Sequence, residues 1–317
     1  MRAIQVTAFG GPEVLELREV PEPEVRGDAL LLDVRAAGVN YADTHQAEDS
    51  YVAPTSLPLI PGTEVVGTAP DGRRVVALLD AGGYAERAAA RPALAFPIPD
   101  GVEDGAALGA TAQGATAWHL LRTSARMQPG ESVVVHAGAG GVGSLAIQLA
   151  RRWGAGRIVA SASSEEKRAL AVELGADVAI DSRSDDLKGA IEEANGGKVD
   201  IVLEMVGGAA LHQSLAAVAP FGRLVTYGMA SREETAPIAP AELLRRSRGV
   251  IGLWLAHAAA RPDHMLRPVV EELFGLVAAG ELRVVVGGTY PLPDARRAHE
   301  DLRSRGTVGK LVLDPRA

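Results

Sequence analysis

Three glycines at fixed spacing carry the clearest chemistry in this chain. Ser132-Val-Val-Val-His-Ala-Gly-Ala-Gly-Gly-Val-Gly-Ser144 is an apolar run that enters Gly138-x-Gly140-x-x-Gly143 and leaves it in a helical pattern. Such a turn lets backbone approach a pyrophosphate closely, and the N–H groups opening the helix supply donors and positive potential. The candidate cradle is Gly138, Gly140, Gly141, Val142 and Gly143. The spacing alone is weak in a chain of 36 glycines; a strand before it and a helix after it raise it to a dinucleotide-binding reading.

A site of this kind usually places an acid about 20 residues on, at the end of the second strand, to hold the ribose 2′-hydroxyl. Here that strand ends Val159-Ala-Ser-Ala-Ser-Ser164, without an acid. The hydroxyls of Ser161, Ser163 and Ser164 and the cations of Lys167 and Arg168 suit a 2′-phosphate instead, which favours NADPH over NADH. The alternative is that Ser164 caps a helix and Lys167 and Arg168 are merely solvated.

The elements that must position these groups form two kinds of text. From Met1 to about Pro99, short apolar or alternating runs (Ala29 to Val34, Thr63 to Thr68, Arg74 to Leu78, Tyr84 to Ala88) are punctuated by Gly and Pro, a β-rich module. Glu103 to Ser124 has helical spacing. From Ser132, six runs read as buried strands: Ser132 to His136, Arg157 to Ser161, Asp177 to Ile180, Val199 to Glu204, Arg223 to Tyr227 and Val250 to Trp254. Helical stretches separate them, among them Val142 to Trp153 and Ser164 to Leu174. The fold class is α/β, because strands alternating with helices imply a doubly wound parallel sheet. After Arg261, a helix to Ala279 and short runs at Arg283 to Val286 and Lys310 to Leu313 return to the first module.

Composition narrows the function classes. Across 317 residues, 32 Lys and Arg face 40 Asp and Glu, and this net charge of −8 repels phosphate backbones. Stacking platforms for single-stranded RNA are scarce too, with 3 Trp, 5 Tyr and 4 Phe. The absence of cysteine excludes disulfides, a thiolate nucleophile and Cys-ligated zinc. No apolar run approaches the length of a membrane span, and the N-terminus lacks a signal-peptide pattern. The expectation is a cytoplasmic protein with no nucleic-acid or membrane partner.

Eight ordered segments resemble one family: Gly38-Val-Asn-Tyr-Ala-Asp-Thr44, Pro61-Gly-Thr-Glu64, Gly83-Tyr-Ala-Glu86, Phe96-Pro-Ile-Pro-Asp-Gly101, Gln113-Gly-Ala-Thr-Ala117, the Gly138 loop, Val206-Gly-Gly208 and Gly309-Lys310. Together they look like the zinc-independent quinone oxidoreductases of the medium-chain dehydrogenase/reductase superfamily, over nearly the whole chain. The resemblance implies a GroES-like β-rich catalytic domain at 1–115 and 257–317, a Rossmann dinucleotide-binding domain at 116–256, and an active site in the cleft. It implies NADPH-dependent reduction of a quinone or another small conjugated carbonyl, usually by a homodimer. The zinc-using relatives place Cys where this chain has Asn40 and His where it has Thr63, so no metal site is expected.

By the same resemblance, Asn40 and Tyr51 stand on the substrate side. His45 replaces a position that is often Tyr, and reads either as a donor or as an exposed loop histidine. Gln113 and Thr116 match the helix facing the nicotinamide half of the cofactor. Val206 and Gly228 lie at carboxyl ends of strands, where ligands bind in such sheets. Glu204 stands where Asp is common, and Lys310 reads as neutralising cofactor phosphate or as a solvated lysine. Asp43 is assigned to loop structure. The competing functions are an enoyl reductase on a biosynthetic or thioester intermediate and an NADPH-binding sensor with little turnover.

Overall fold

In the computed structural model, which describes Met1–Ala317, the chain divides into two units, Met1–Ala115 with Ala256–Ala317 and Thr116–Leu255. In chain order the first unit contributes β1 (Arg2–Gln5), β2 (Glu16–Glu19), β3 (Leu30–Val39), α1 (Tyr41–Ala47), β4 (Glu64–Thr68), β5 (Arg74–Leu78), β6 (Arg87–Ala90), β7 (Ala95–Pro97) and α2 (Asp104–Leu108). The chain then passes through α3 (Ala115–His119) to β8 (Ser132–Val135), α4 (Gly141–Arg152), β9 (Arg157–Ala162), α5 (Glu165–Glu173), β10 (Val178–Asp181), α6 (Leu187–Asn195), β11 (Val199–Glu204), α7 (Gly208–Ala217), β12 (Val218–Thr226), α8 (Pro240–Arg246) and β13 (Gly249–Gly252). After α9 (Leu255–Ala259) come α10 (Arg267–Ala278), β14 (Val286–Pro291), α11 (Ala295–Arg303) and β15 (Lys310–Asp314).

The second unit is a six-stranded sheet, all parallel, in the order β10-β9-β8-β11-β12-β13. Numbered within the sheet this is 3-2-1-4-5-6, and the order reverses between β8 and β11. The central strands β8 and β11 are buried along almost their whole length and mostly apolar because helices cover both faces of such a sheet. The outermost strands differ from the expected six buried strands. β10 is half-buried along its length, and Ile251 and Gly252 of β13 are exposed. β12 starts five residues earlier than its apolar run, and its register against β11 jumps from Val218 to Arg223. Residues 219–222 therefore bulge outward, with Phe221 in the left-handed region and exposed.

The first unit is a GroES-like β-rich module. A mostly antiparallel sheet runs β14-β15-β3-β4-β5-β7, with β6 also pairing with β3, and β1 with β2 forms a separate ribbon. Its core gathers Leu32, Val39, Val65 and Ala77 from the sheet with Leu292, Ala295 and Ala298 from the C-terminal segment. Tyr84 lies outside any strand, since β6 begins only at Arg87, and Arg283 to Val285 precede β14 instead of forming a strand.

Candidate active site

In the second unit, β8 delivers the chain to His136 and Ala137, the latter in the left-handed region. Gly138 N–H donates to Ser161 O at 2.9 Å and Gly140 N–H to Ala137 O at 2.8 Å, which folds the turn against the end of β9. Gly140 is the N-cap of α4 and has no capping side chain, so N–H groups of the first turn are left for a ligand. Two of the glycines are required by packing. A Cβ on Gly143 would lie 2.2 Å from Ala137 O, and one on Gly138 would lie 2.8 Å from Ala160 Cβ. The turn lies at the carboxyl end of β8, beside the point where the strand order reverses, and it forms a backbone cradle suited to an anion.

Around it the predicted residues separate. Ser161 is 1% exposed and its Oγ lies 2.8 Å from His136 Nδ1, whose Nε2 lies 2.8 Å from Ser214 Oγ. Burial holds His136 neutral, its pKa lowered to about 4. The expectation that Ser161 binds a 2′-phosphate is thereby corrected: its hydroxyl is spent inside a buried chain linking β8, β9 and α7. Ser163 and Lys167 are half-buried just beyond β9. Ser164 Oγ accepts the Lys167 N–H at 3.3 Å and so caps α5. Arg168 is directed to Ala162 O at 3.3 Å and Asp181 at 3.5 Å. Val206 N–H and Gly207 N–H donate to the buried Glu204 Oε1 at 2.7 and 3.0 Å, so this acid, whose pKa burial raises, staples the loop after β11. Gly228 passes that loop closely, since a Cβ there would lie 3.1 Å from Met205 O. Thr116 is half-buried on α3.

In the first unit a polar cluster forms where three strands meet. β15 pairs antiparallel with β3, placing Leu311 opposite Val39, and β4 pairs with the other side of β3, placing Val65 opposite Ala37. The first residues of β15 and β4, Lys310 and Glu64, thus arrive beside the end of β3 and Asn40. Lys310 and Glu64 are both 0% exposed and form an ion pair. Lys310 Nζ also donates to Asn40 Oδ1 at 2.9 Å and to Val39 O at 3.3 Å. Asn40 Nδ2 donates to Glu64 Oε1 at 2.8 Å, and Gln113 Nε2 approaches Asn40 Oδ1 at 3.5 Å. The expectation that Lys310 neutralises a cofactor phosphate, or is solvated, is corrected, because its three N–H bonds are all used inside this cluster.

Asp43 also departs from its assignment to loop structure. It lies on the first turn of α1, fully buried, where its Oδ2 accepts the Asn40 N–H and the Tyr84 hydroxyl, each at 2.8 Å. Tyr84 Oη is 3.1 Å from His299 Nε2 on α11. Burial raises the Asp43 pKa to about 6, opposed by these two donors and by Lys310, and burial lowers that of His299 to about 3. His45 is 7% exposed on α1, not an exposed loop histidine. Its Nδ1 lies 2.7 Å from Ser50 Oγ and its ring meets Tyr41 edge-on. Tyr51 is half-buried in the following bend.

The donor set at Asn40 and Thr63 does not fit zinc. An amide oxygen already bound to an ammonium and a hydroxyl are poor zinc ligands, and no group of three or more His, Asp or Glu side chains is placed to hold a metal.

Comparison with known proteins agrees in sequence and in fold. The chain is 32% identical to rat quinone oxidoreductase over 99% of its own length and 97% of that protein's. The chain belongs to the zinc-independent quinone oxidoreductase family. Among solved structures of this kind, a mycobacterial protein in complex with NADPH matches with a TM-score of 0.93 at 36% identity, covering 99% of this chain and 100% of that one. Escherichia coli quinone oxidoreductase in complex with NADPH also matches with a TM-score of 0.93, at 30% identity over 99% and 100% of the two chains. Residues 141–274 match a family model described as a zinc-binding dehydrogenase. That span includes neither Asn40 nor Thr63, so the description does not alter the reading of those positions as unsuited to zinc.

Within Pro61-Gly-Thr-Glu64, a marker of the family, the buried role of Glu64 does not show in the segment itself. The available signal was an acid at the first position of an apolar strand, where a carboxylate has no reason to be buried without a cation.

Proposed function

We propose that this chain reduces quinones and related α,β-unsaturated carbonyls with NADPH. The observation that carries the reading is the N–H cradle of Gly141, Val142 and Gly143, opened by the Gly140 turn at the reversal point of the sheet, in a chain 30–36% identical to proteins solved with NADPH. The residues present fit that cofactor. The cradle takes the pyrophosphate, with Gly138 packing it against β9 and the loops at Val206 and Gly228 bordering it. Ser163 and Lys167 take the 2′-phosphate. Gln113 Oε1, buried and without a partner in the chain, suits an amide N–H such as the nicotinamide carboxamide offers, and Thr116 stands on the same helical segment. The bound cofactor supplies the hydride.

The chain's own groups stabilise the charge that follows. As a quinone or enone accepts hydride, negative charge grows on the oxygen at the far end of the conjugated system, and a preorganised donor there lowers the barrier. Asn40 supplies one N–H and Tyr51 a hydroxyl. His45, engaged with Ser50 and Tyr41, supports the 41–50 segment and leaves the donor role to the other two. A homodimer joined through the exposed edge of β13 belongs to the same reading, supported by Phe221 and Leu244 at 86% and 80% exposure beside that edge. A cytoplasmic home, where NADPH is regenerated, completes it; no helix is long and apolar enough to cross a membrane.

The test is oxidation of NADPH and of NADH, followed by nicotinamide absorbance, against para- and ortho-quinones, open-chain enones and an enoyl thioester. Turnover of quinones or enones with NADPH is the expected result. Tight NADPH binding with no turnover of any acceptor would overturn it.

A further inference from the structure

We infer that the buried Lys310–Glu64 pair is a positioning device that locks the orientation of the Asn40 amide, leaving one N–H free for a ligand. This rests on the reading of Asn40 as a substrate-side donor. An asparagine amide can turn over and exchange its oxygen and nitrogen at little cost unless its partners differ in kind. Here they differ completely. Lys310 only donates and contacts Oδ1 at 2.9 Å, whereas the Glu64 carboxylate only accepts and contacts Nδ2 at 2.8 Å. Turning the amide over would set N–H against ammonium and carbonyl oxygen against carboxylate, so both bonds would become repulsions. Gln113 Nε2, a second donor on the Oδ1 side at 3.5 Å, adds to the same preference.

The backbone is shaped to seat this lock. Gly38, one residue before Val39 on β3, leaves room for the Glu64 carboxylate: a Cβ there would lie 2.4 Å from Glu64 Oε1. The backbone N–H of Asn40 is held independently by Asp43 Oδ2, so the main chain is fixed by α1 and the side chain by the ion pair. Nδ2 carries two hydrogens, and Glu64 takes one. The other makes no hydrogen bond within the chain and remains as the single donor the Asn40 side chain can offer. Both charges are 0% exposed, which keeps water from competing for the amide. Lys310 and Glu64 therefore act through Asn40 and touch neither cofactor nor substrate.

The chain contains only two asparagines, Asn40 and Asn195, so selective 15N labelling of asparagine side chains yields two amide pairs. Asn195, bonded to Gly197 O and Lys198 O in the second unit, is the internal control. The wild-type Asn40 pair is expected to show two well-separated protons, one slow to exchange with solvent, and slow interchange between them. In Lys310→Met/Glu64→Gln, which removes both charges and keeps the shapes, both Asn40 protons should move toward the positions of a free amide and exchange faster with solvent while Asn195 stays unchanged. If that protein does not fold, Glu64→Gln alone should shift the Asn40 pair in the same direction by less. An unaltered Asn40 pair in either folded variant would overturn the lock.

Kinetics separate the lock from the function it rests on. With the amide released, kcat should fall about tenfold to a hundredfold, the size of effect expected from a small misplacement at a reacting centre, while the Kd for NADPH is unchanged. Adding Asn40→Ala to the double variant should then cost less than about twofold more, because the residues act as one unit. A released amide with undiminished turnover would leave the lock standing and remove Asn40 from the substrate side.

Discussion

At the end of β8 the groups available to a ligand are consecutive backbone N–H groups of residues 141–143, whereas at the ends of β3, β4 and β15 the polar groups are four side chains drawn from positions 40, 64, 113 and 310. The first arrangement asks only that side chains be absent, so it tolerates no Cβ at Gly143. The second asks that opposite charges be buried together, so it tolerates no missing partner. Backbone cradles and buried ion pairs thus fail in different ways, and substitutions can tell them apart.

The largest effect is expected from the cluster. Lys310→Met leaves the Glu64 carboxylate buried without its cation, a loss of about 3–5 kcal/mol of stability. Restoring neutrality with Glu64→Gln in the same chain should return most of it. A Lys310→Met protein as stable as the wild type in urea titration would mean that the pair is not buried in solution.

Next comes the cradle. Gly143→Ala forces a Cβ to within 2.2 Å of a backbone carbonyl, costing about 3 kcal/mol as turn and helix separate, and NADPH titration should show at least tenfold weaker binding. Gly140→Ala, whose Cβ would lie 3.1 Å from the same oxygen, should be milder in both. Equal effects at the two glycines would remove the close approach of helix and turn as the reason for the motif.

The two regions should also respond unequally to acid. His136 is neutral in the fold with a pKa of about 4, so its contribution is complete above its unfolded pKa near 6.5 and is lost as pH falls from there toward 4, about 3 kcal/mol in all. In the first unit His299, lowered to about 3, works in the same direction. Asp43, raised to about 6, works against it, because a carboxyl that keeps its proton in the fold contributes stability below 3.8 that is lost as pH rises through 6. Acidification between pH 6 and 4 should therefore weaken the second unit more steeply. All three tryptophans, Trp118, Trp153 and Trp254, lie in that unit, so their fluorescence reports its unfolding alone. His136→Gln should flatten that pH slope, whatever its absolute stability, and an unchanged slope would remove His136 as its source.

The same contrast explains what could be read in advance. The glycine turn is local, held within thirteen residues of strand, loop and helix, and the alternation of apolar runs with helical stretches gave the parallel sheet. The cluster joins residues up to 270 positions apart, and no local pattern announces that a Lys and a Glu will share a buried site. Helices α1 and α11 were hidden for a related reason. Their buried faces are small or polar, Asp43, Thr44 and His45 in one and Ala295, Ala298 and His299 in the other, so they show no apolar period. Ser161 misled because its position at the end of β9 was legible but its direction was not. Residues alternate sides along a strand, and Ser161 falls on the side that meets His136.

The smallest effect sharpens the cradle side further. In the proposed reading, with Ser161 turned inward, Ser164 capping α5 and Arg168 directed to Asp181 and Ala162 O, the 2′-phosphate is assigned to Ser163 and Lys167. Burial lowers the pKa of the Lys167 ammonium, so a dianionic phosphate beside it would offset that cost, whereas a ribose hydroxyl would do so much less. Lys167→Ala should therefore raise the KM for NADPH by about tenfold to a hundredfold, the worth of one hydrogen bond to a charged group. The KM for NADH should barely move, so the preference between the cofactors narrows without loss of kcat. Equal changes for both cofactors would take Lys167 out of the phosphate site and leave the backbone cradle as the only part of cofactor recognition that the second unit's sequence specifies.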